Sequence, residues 1–273
     1  MAKNLFVFGY GNMGSAIVHG IITSFYSNDY KITVIEPDSA KHNDLNAANL
    51  TFLTALPEKQ KLDYNYVLLA VKPNQVAELL KSFGKRVTPN TTIISICAGI
   101  TIASINEVVG ADVPVLRAMP NTPARIKKAT TALAANDKVD NTAFDRTKGL
   151  FETIGSVVRV DEKDFDIVTG LSGSGPAYVF RMIEALTAAG VENGLGEDQA
   201  FDLATKTLIG ATELAISDRK KGVSPRKLAE QVSSPNGTTV AGLAVMDKAN
   251  FVDTVKATVT AATKRSKEIS EGK

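Results

Sequence analysis

Apolar and polar positions change their period partway along this chain, and the change divides it in two. Up to about residue 160, short aliphatic and β-branched runs alternate with stretches that are apolar at helical spacing. The runs Leu5–Phe8, Lys31–Ile35, Tyr66–Val71, Thr91–Ile96, Val113–Arg117, Thr130–Ala134 and Val157–Val160 predict strands. Strands alternating with helices predict a mainly parallel, doubly wound α/β sheet. Beyond Asp164 the segments Pro176–Val191, Glu197–Arg219, Pro225–Val232 and Thr239 to about Lys267 are alanine-rich and apolar at helical spacing. They predict an all-helical second domain. The charged stretch Asp161-Glu162-Lys163-Asp164 marks the boundary, which gives domains at 1–163 and 164–273.

The first strand runs directly into Gly9-Tyr10-Gly11-Asn12-Met13-Gly14, and Ser15–Ile22 then reads as a helix. A strand, a Gly-x-Gly-x-x-Gly turn and a helix form the opening of a Rossmann-type dinucleotide-binding domain. Gly9 turns the chain, Gly11 lets the backbone approach a diphosphate, and Gly14 lets the helix pack against the strand. The free N–H groups and positive dipole at the helix start favour that anion. A tight turn with no ligand is the alternative.

Ligands of such sheets bind beyond the carboxyl ends of the strands, so the residues that follow each strand carry the chemistry. Glu36 ends the second predicted strand about twenty residues beyond Gly14, where an acid accepts hydrogen bonds from the adenosine ribose. This favours NADH, because a 2′-phosphate would meet a like charge, although Lys41 offers a compensating cation. At the end of the Tyr66–Val71 run, Ala70-Val71-Lys72-Pro73 breaks the ladder and places its backbone beside the expected groove. Met119-Pro120-Asn121-Thr122-Pro123 is a rigid loop whose Asn121 is placed to hydrogen-bond a carboxamide or substrate.

In the helical part, Ser172-Gly173-Ser174-Gly175-Pro176-Ala177-Tyr178 reads as a flexible turn leading into a helix. Ser233-Ser234-Pro235-Asn236-Gly237-Thr238-Thr239 reads as a turn ending in hydroxyls at a helix start. Either helix start suits a small anion such as a carboxylate, and simple capping accounts for both equally well.

Composition removes other function classes. The chain has 273 residues, 31 basic against 29 acidic, and the charges are well mixed. No basic stripe exists for a nucleic-acid backbone. No apolar run approaches the ~20 residues of a membrane span. Met1-Ala2-Lys3-Asn4 leads straight into the first strand, so a cytoplasmic location is expected. The single cysteine, Cys97, lies in an apolar run and reads as a small buried hydrophobe. His19 and His42 are the only histidines, and neither has a partner at metal-ligand spacing or in a nucleophile motif. No metal is expected.

Taken in order, these motifs resemble the pyrroline-5-carboxylate reductase family over the whole length. Gly9–Gly14, Ala70–Pro73, Met119–Pro123, Ser172–Tyr178 and Ser233–Thr239 with Ala241-Gly242-Leu243 carry the resemblance, the last being the most specific. It implies an NADPH- or NADH-dependent oxidoreductase that reduces the cyclic imine 1-pyrroline-5-carboxylate to L-proline, the last step of proline biosynthesis. It implies that Gly9, Tyr10, Gly11, Asn12, Met13, Gly14, Glu36, Ala70, Val71, Lys72, Pro73 and Asn121 serve the cofactor. It assigns the substrate carboxylate to Ser233, Gly237 and Thr238, and the ring nitrogen to the hydroxyl of Thr239. It also makes the helical part a dimerisation domain, with homodimers in some relatives assembled into larger rings and an active site built from two subunits. Two departures stand out. Many relatives have Gly-Gly where this chain has Asn236-Gly237, and many prefer NADPH and lack an acid at the position of Glu36.

Two other readings compete. A β-hydroxyacid dehydrogenase or related imine reductase opens with a similar glycine motif, but its catalytic lysine position falls on Val179 here. A dinucleotide-binding redox sensor would bind without turnover.

Overall fold

The computed structural model describes residues 2–42, 47–57 and 65–271. Eight strands form one sheet: β1 (Lys3–Phe8), β2 (Tyr30–Ile35), β3 (Leu50–Leu53), β4 (Tyr66–Leu69), β5 (Thr92–Ser95), β6 (Val115–Met119), β7 (Ala129–Ala135) and β8 (Gly155–Arg159). Their spatial order is β3-β2-β1-β4-β5-β6-β7-β8. Every pairing is parallel except β6 with β7, which is antiparallel. The doubly wound sheet is therefore as expected.

Alternation along β1 builds two cores. Leu5 and Val7 point to the face covered by α1 (Asn12–Ile22) and α4 (Asn141–Glu152), where Ile17, Val18, Ile21, Leu150 and Phe151 join them. Phe6 and Phe8 point to the other face, under α2 (Pro73–Phe83) and α3 (Ile102–Val109), with Val76, Leu80, Phe83 and Ile105. Phe8 stacks on Phe83 with ring centroids 4.8 Å apart. A strand buried on both faces reads as a continuous apolar run, as Leu5–Phe8 does.

After β8, α5 (Phe165–Val168) continues without a break into a π-helical turn, Thr169–Gly173. Ser172–Gly175 is thus not the free turn expected from its composition. Phe165, 2% exposed, anchors the segment beside Met119, Ala132 and Ala134.

The helices beyond are α6 (Gly175–Glu192), α7 (Glu197–Arg219), α8 (Pro225–Gln231), α9 (Thr238–Lys248) and α10 (Phe251–Ser270). The single helix expected from Thr239 to Lys267 is two, because Asn250 takes φ +51° between α9 and α10. A left-handed residue ends a right-handed helix, and asparagine tolerates that conformation best after glycine.

Packing groups Met1–Ser174 with Thr260–Lys273 as one compact unit and Gly175–Val259 as another. The second unit has almost no core of its own. No residue of α6, α8 or α9 is fully buried, and α7 buries only Ala200 and Ala204. Among the described residues no helix is long and apolar enough to cross a membrane.

Candidate active site

The carboxyl ends of β1, β2 and β4 surround a cleft of about 850 Å³, lined among others by Gly9, Gly11, Glu36, Lys41, Val71 and Lys72. Its glycines have separable causes. Gly9 adopts φ +95°, and a Cβ there would lie 2.6 Å from the Ala70 carbonyl oxygen. A Cβ on Gly14 would collide with the Gly9 carbonyl. A Cβ on Gly11 would meet nothing within 4 Å, so no packing demand accounts for that glycine. Gly11 is also the N-cap of α1 and brings no side chain to cap it. Open space above a bare helix start suits a diphosphate, and the cradle therefore fits a dinucleotide.

Glu36 is 8% exposed and does more than end a strand. Its Oε2 accepts the Tyr10 N–H at 2.9 Å, and its Oε1 accepts the Asp38 N–H at 3.1 Å. Lys41 Nζ lies 3.5 Å from Glu36 Oε1 and 3.4 Å from Asp38 Oδ2. The carboxylate thus ties the glycine-rich loop to the loop after β2. The carboxylates beside Lys41 hold its ammonium pKa above the ordinary value.

The remaining expected residues sort by position. Ala70 lines the cleft, and its N–H binds the Phe8 carbonyl at 2.8 Å. The Lys72 N–H donates to Gln75 Oε1 at 3.1 Å, and Pro73 opens α2. Asn12 and Met13 form the first turn of α1, whereas the Tyr10 ring is core, edge-on to Phe52 at 5.0 Å. Asn121 does not line the cleft. Its Nδ2 donates to the Ser172 carbonyl at 3.1 Å, and its Oδ1 accepts the Thr130 N–H at 2.9 Å. It clamps the loop after β6 to the π-helical turn. Sequence reading missed Thr54, Ala55 and Leu56, which line the cleft from the loop after β3.

In the second unit, Asn236 at φ +59° turns the chain into α9, and Gly237 is its N-cap, without a side-chain cap. A Cβ on Gly237 would collide with Ser234. The Thr238 and Thr239 N–H groups face no partner among the described residues, whereas the Gly237 N–H is held by the Ser234 carbonyl at 2.9 Å. Ser233 is also committed, since its hydroxyl donates to the Ala229 carbonyl at 2.6 Å. The donors left at this helix start are therefore the N–H groups of Thr238, Thr239 and Val240.

A glycine-rich cradle on a mainly parallel sheet, followed by an all-helical unit, defines a Rossmann-type dinucleotide-binding protein. The family description "NADP oxidoreductase coenzyme F420-dependent" matches residues 4–99, and "Pyrroline-5-carboxylate reductase dimerisation" matches residues 162–269. The chain belongs to the pyrroline-5-carboxylate reductase family. It is 36% identical over 271 residues to the pyrroline-5-carboxylate reductase of Synechocystis, covering 99% of this chain and 100% of the relative. With that of Arabidopsis thaliana it shares 33% over 263 residues, covering 96% and 94%. Among solved structures, the Coxiella burnetii enzyme superposes with a TM-score of 0.88 at 30% identity over 98% of each chain. The Plasmodium falciparum pyrroline carboxylate reductase with NADP bound gives 0.84 at 30% identity, also over 98% of each.

Proposed function

We propose that the chain reduces 1-pyrroline-5-carboxylate to L-proline with NADH or NADPH, acting as a homodimer. When bound, the reduced nicotinamide supplies the hydride that the C=N carbon accepts. The chain's own residues bind and orient. Gly9, Gly11 and Gly14, with the first N–H groups of α1, cradle the diphosphate. The N–H groups of Thr238 and Thr239 at the uncapped start of α9 hold the substrate carboxylate, and the Thr239 hydroxyl meets the ring nitrogen.

The observation that carries this reading is the bare helix start at Gly237. A helix start without a side-chain cap offers its free N–H groups to an anion, and at this part-exposed one a carboxylate can reach them. No strong general acid is required, because a pyrroline imine protonates readily from water and the iminium needs orientation above all. The Thr238 and Thr239 donors do that without histidine.

For the adenosine end, two carboxylates, Glu36 and Asp38, face one ammonium, Lys41. That balance disfavours a 2′-phosphate, so we infer a preference for NADH. The unsupported helices of the second unit favour the dimer, since their exposed Phe180, Phe201 and Ile209 have no cover within one chain.

Oxidation of the reduced cofactor on addition of pyrroline-5-carboxylate, with proline as product, tests the activity. A hydroxyacid dehydrogenase would ignore the imine, and a sensor would bind cofactor without turnover.

A further inference from the structure

At the opposite end of the sheet from the cofactor cleft, the amino ends of β1, β4 and β5 and the start of α4 enclose a second, polar cavity of about 410 Å³. Lys3, Lys138 and Arg146 line it, with Asp140 as the acid among the lining residues. Lys3 and Arg146 have no carboxylate within 4 Å among the described residues, whereas Lys138 is shared with Asp112 at 3.8 Å and Asp137 at 4.0 Å. Tyr66 also lines the cavity. It is 6% exposed, and its hydroxyl makes no hydrogen bond among the described residues. The ring is buried while the hydroxyl oxygen keeps solvent access, and a hydroxyl that reaches a cavity lined by cations is placed to donate to an anion. Burial pushes the Tyr66 pKa up, so the group stays a protonated donor, while Arg146 acts in the opposite direction from close by.

We propose that this cavity binds a phosphate dianion, free or as a small monoester, between Arg146, Lys3 and the Tyr66 hydroxyl. Charge decides the class of ligand. Lys138 is shared with Asp112 and Asp137, which leaves Lys3 and Arg146 as the lining cations without a carboxylate partner, beside Asp140, whose Oδ1 accepts the Ala143 N–H at 2.7 Å and caps α4. A dianion matches the two unpaired cations, and guanidinium favours phosphate geometry. The cavity is far larger than one phosphate, which leaves room for a short organic group.

The test is calorimetric titration of inorganic phosphate, and separately of glycerol 3-phosphate, into the full-length protein with its cofactor cleft saturated by NADH. Saturable binding of either is expected, and the tighter of the two identifies the source. Lys3→Ala combined with Arg146→Ala is expected to weaken it by at least about tenfold. Asp140→Asn keeps an equally good cap and removes the like charge, so it is expected to tighten binding by roughly threefold. This gain does not depend on a damaged fold. Absence of binding to the wild-type protein, or affinities unchanged in both variants, would overturn the proposal.

Discussion

Arg117 Nη1 lies 3.0 Å from Glu162 Oε1, and the two side chains join the central sheet to the segment that leads out of it. Arg117 is 5% exposed on β6, with its guanidinium stacked 4.4 Å over the Phe165 ring. The same Glu162 oxygen accepts the Ile102 N–H at the start of α3 at 2.7 Å. Removing the carboxylate leaves a buried cation and a helix-start donor without a partner. Glu162→Ala is expected to cost about 3 kcal/mol, at the low end for a broken buried pair because Glu162 itself is partly exposed. Urea unfolding measures it, and a loss below about 1 kcal/mol would mean that the pair behaves as a surface one.

Cys97 is buried within the loop after β5, with its Sγ 3.2 Å from the Val71 carbonyl oxygen. Burial pushes its pKa up from 9.0 to about 11. The folded state therefore holds the proton more tightly than the unfolded one. Its stabilising effect is complete below about pH 9 and declines as pH rises toward 11. Iodoacetamide at pH 8 should label the native protein far more slowly than the urea-unfolded chain. Cys97→Ala should flatten the alkaline fall in melting temperature; an unaltered fall would assign it to other groups.

The glycine-rich start was legible because each of its residues answers a local demand, and the period of the apolar runs fixed the sheet. Direction and pairing were less so. Nothing in Ala129–Ala135 states that it runs antiparallel to β6, because side-chain alternation is the same in either direction. Strand β3 lies at the sheet edge with no fully buried residue, so it lacks the continuous apolar run that reveals the equally short β4 and β5, and its loss hid the Thr54–Leu56 wall of the cleft. The Ser172–Gly175 segment has turn composition, yet anchoring by Phe165 and the Asn121 clamp hold its start in a helical turn. Asn121 illustrates the general limit. A sequence shows that an amide can hydrogen-bond, but only the fold shows that both of its ends are already engaged.

Glu36 combines two functions that substitution can separate. Glu36→Gln keeps an acceptor for the Tyr10 N–H, gives up the one for the Asp38 N–H, and removes the charge beside Lys41. The ratio of kcat/KM for NADPH to that for NADH should rise roughly tenfold, about 1.4 kcal/mol of relieved repulsion. Lys41→Ala should lower the same ratio. Wild-type enzyme that uses NADPH as well as NADH would remove the basis for both expectations.

The helical unit should not persist as a monomer. Phe180 and Phe201, 60% and 51% exposed, line an apolar groove of about 790 Å³ between α6 and α7. Sedimentation at about 1 μM, where an obligate interface stays closed, should show no monomer. Phe201→Lys should release monomer and abolish turnover together. A monomer with full activity would refute both the dimer and an active site shared between subunits.

Thr239 carries the sharpest test of the substrate assignment, because its side chain and its helix position make opposite predictions. Thr239→Val keeps the shape and the backbone N–H while removing the hydroxyl. A hydrogen bond to a charged partner is worth about 1.5–3 kcal/mol, so kcat/KM for pyrroline-5-carboxylate should fall roughly ten- to a hundredfold. Cofactor affinity should be unchanged, since Thr239 belongs to α9 and the dinucleotide cradle to β1 and α1. If Thr239 merely supports the helix start, valine would lower stability by about 1 kcal/mol and leave hydride transfer per folded enzyme intact. Melting temperature and single-turnover transfer measured on one preparation distinguish the cases. A lowered melting point with unchanged transfer would withdraw Thr239 from the chemistry and leave the carboxylate to the α9 backbone alone.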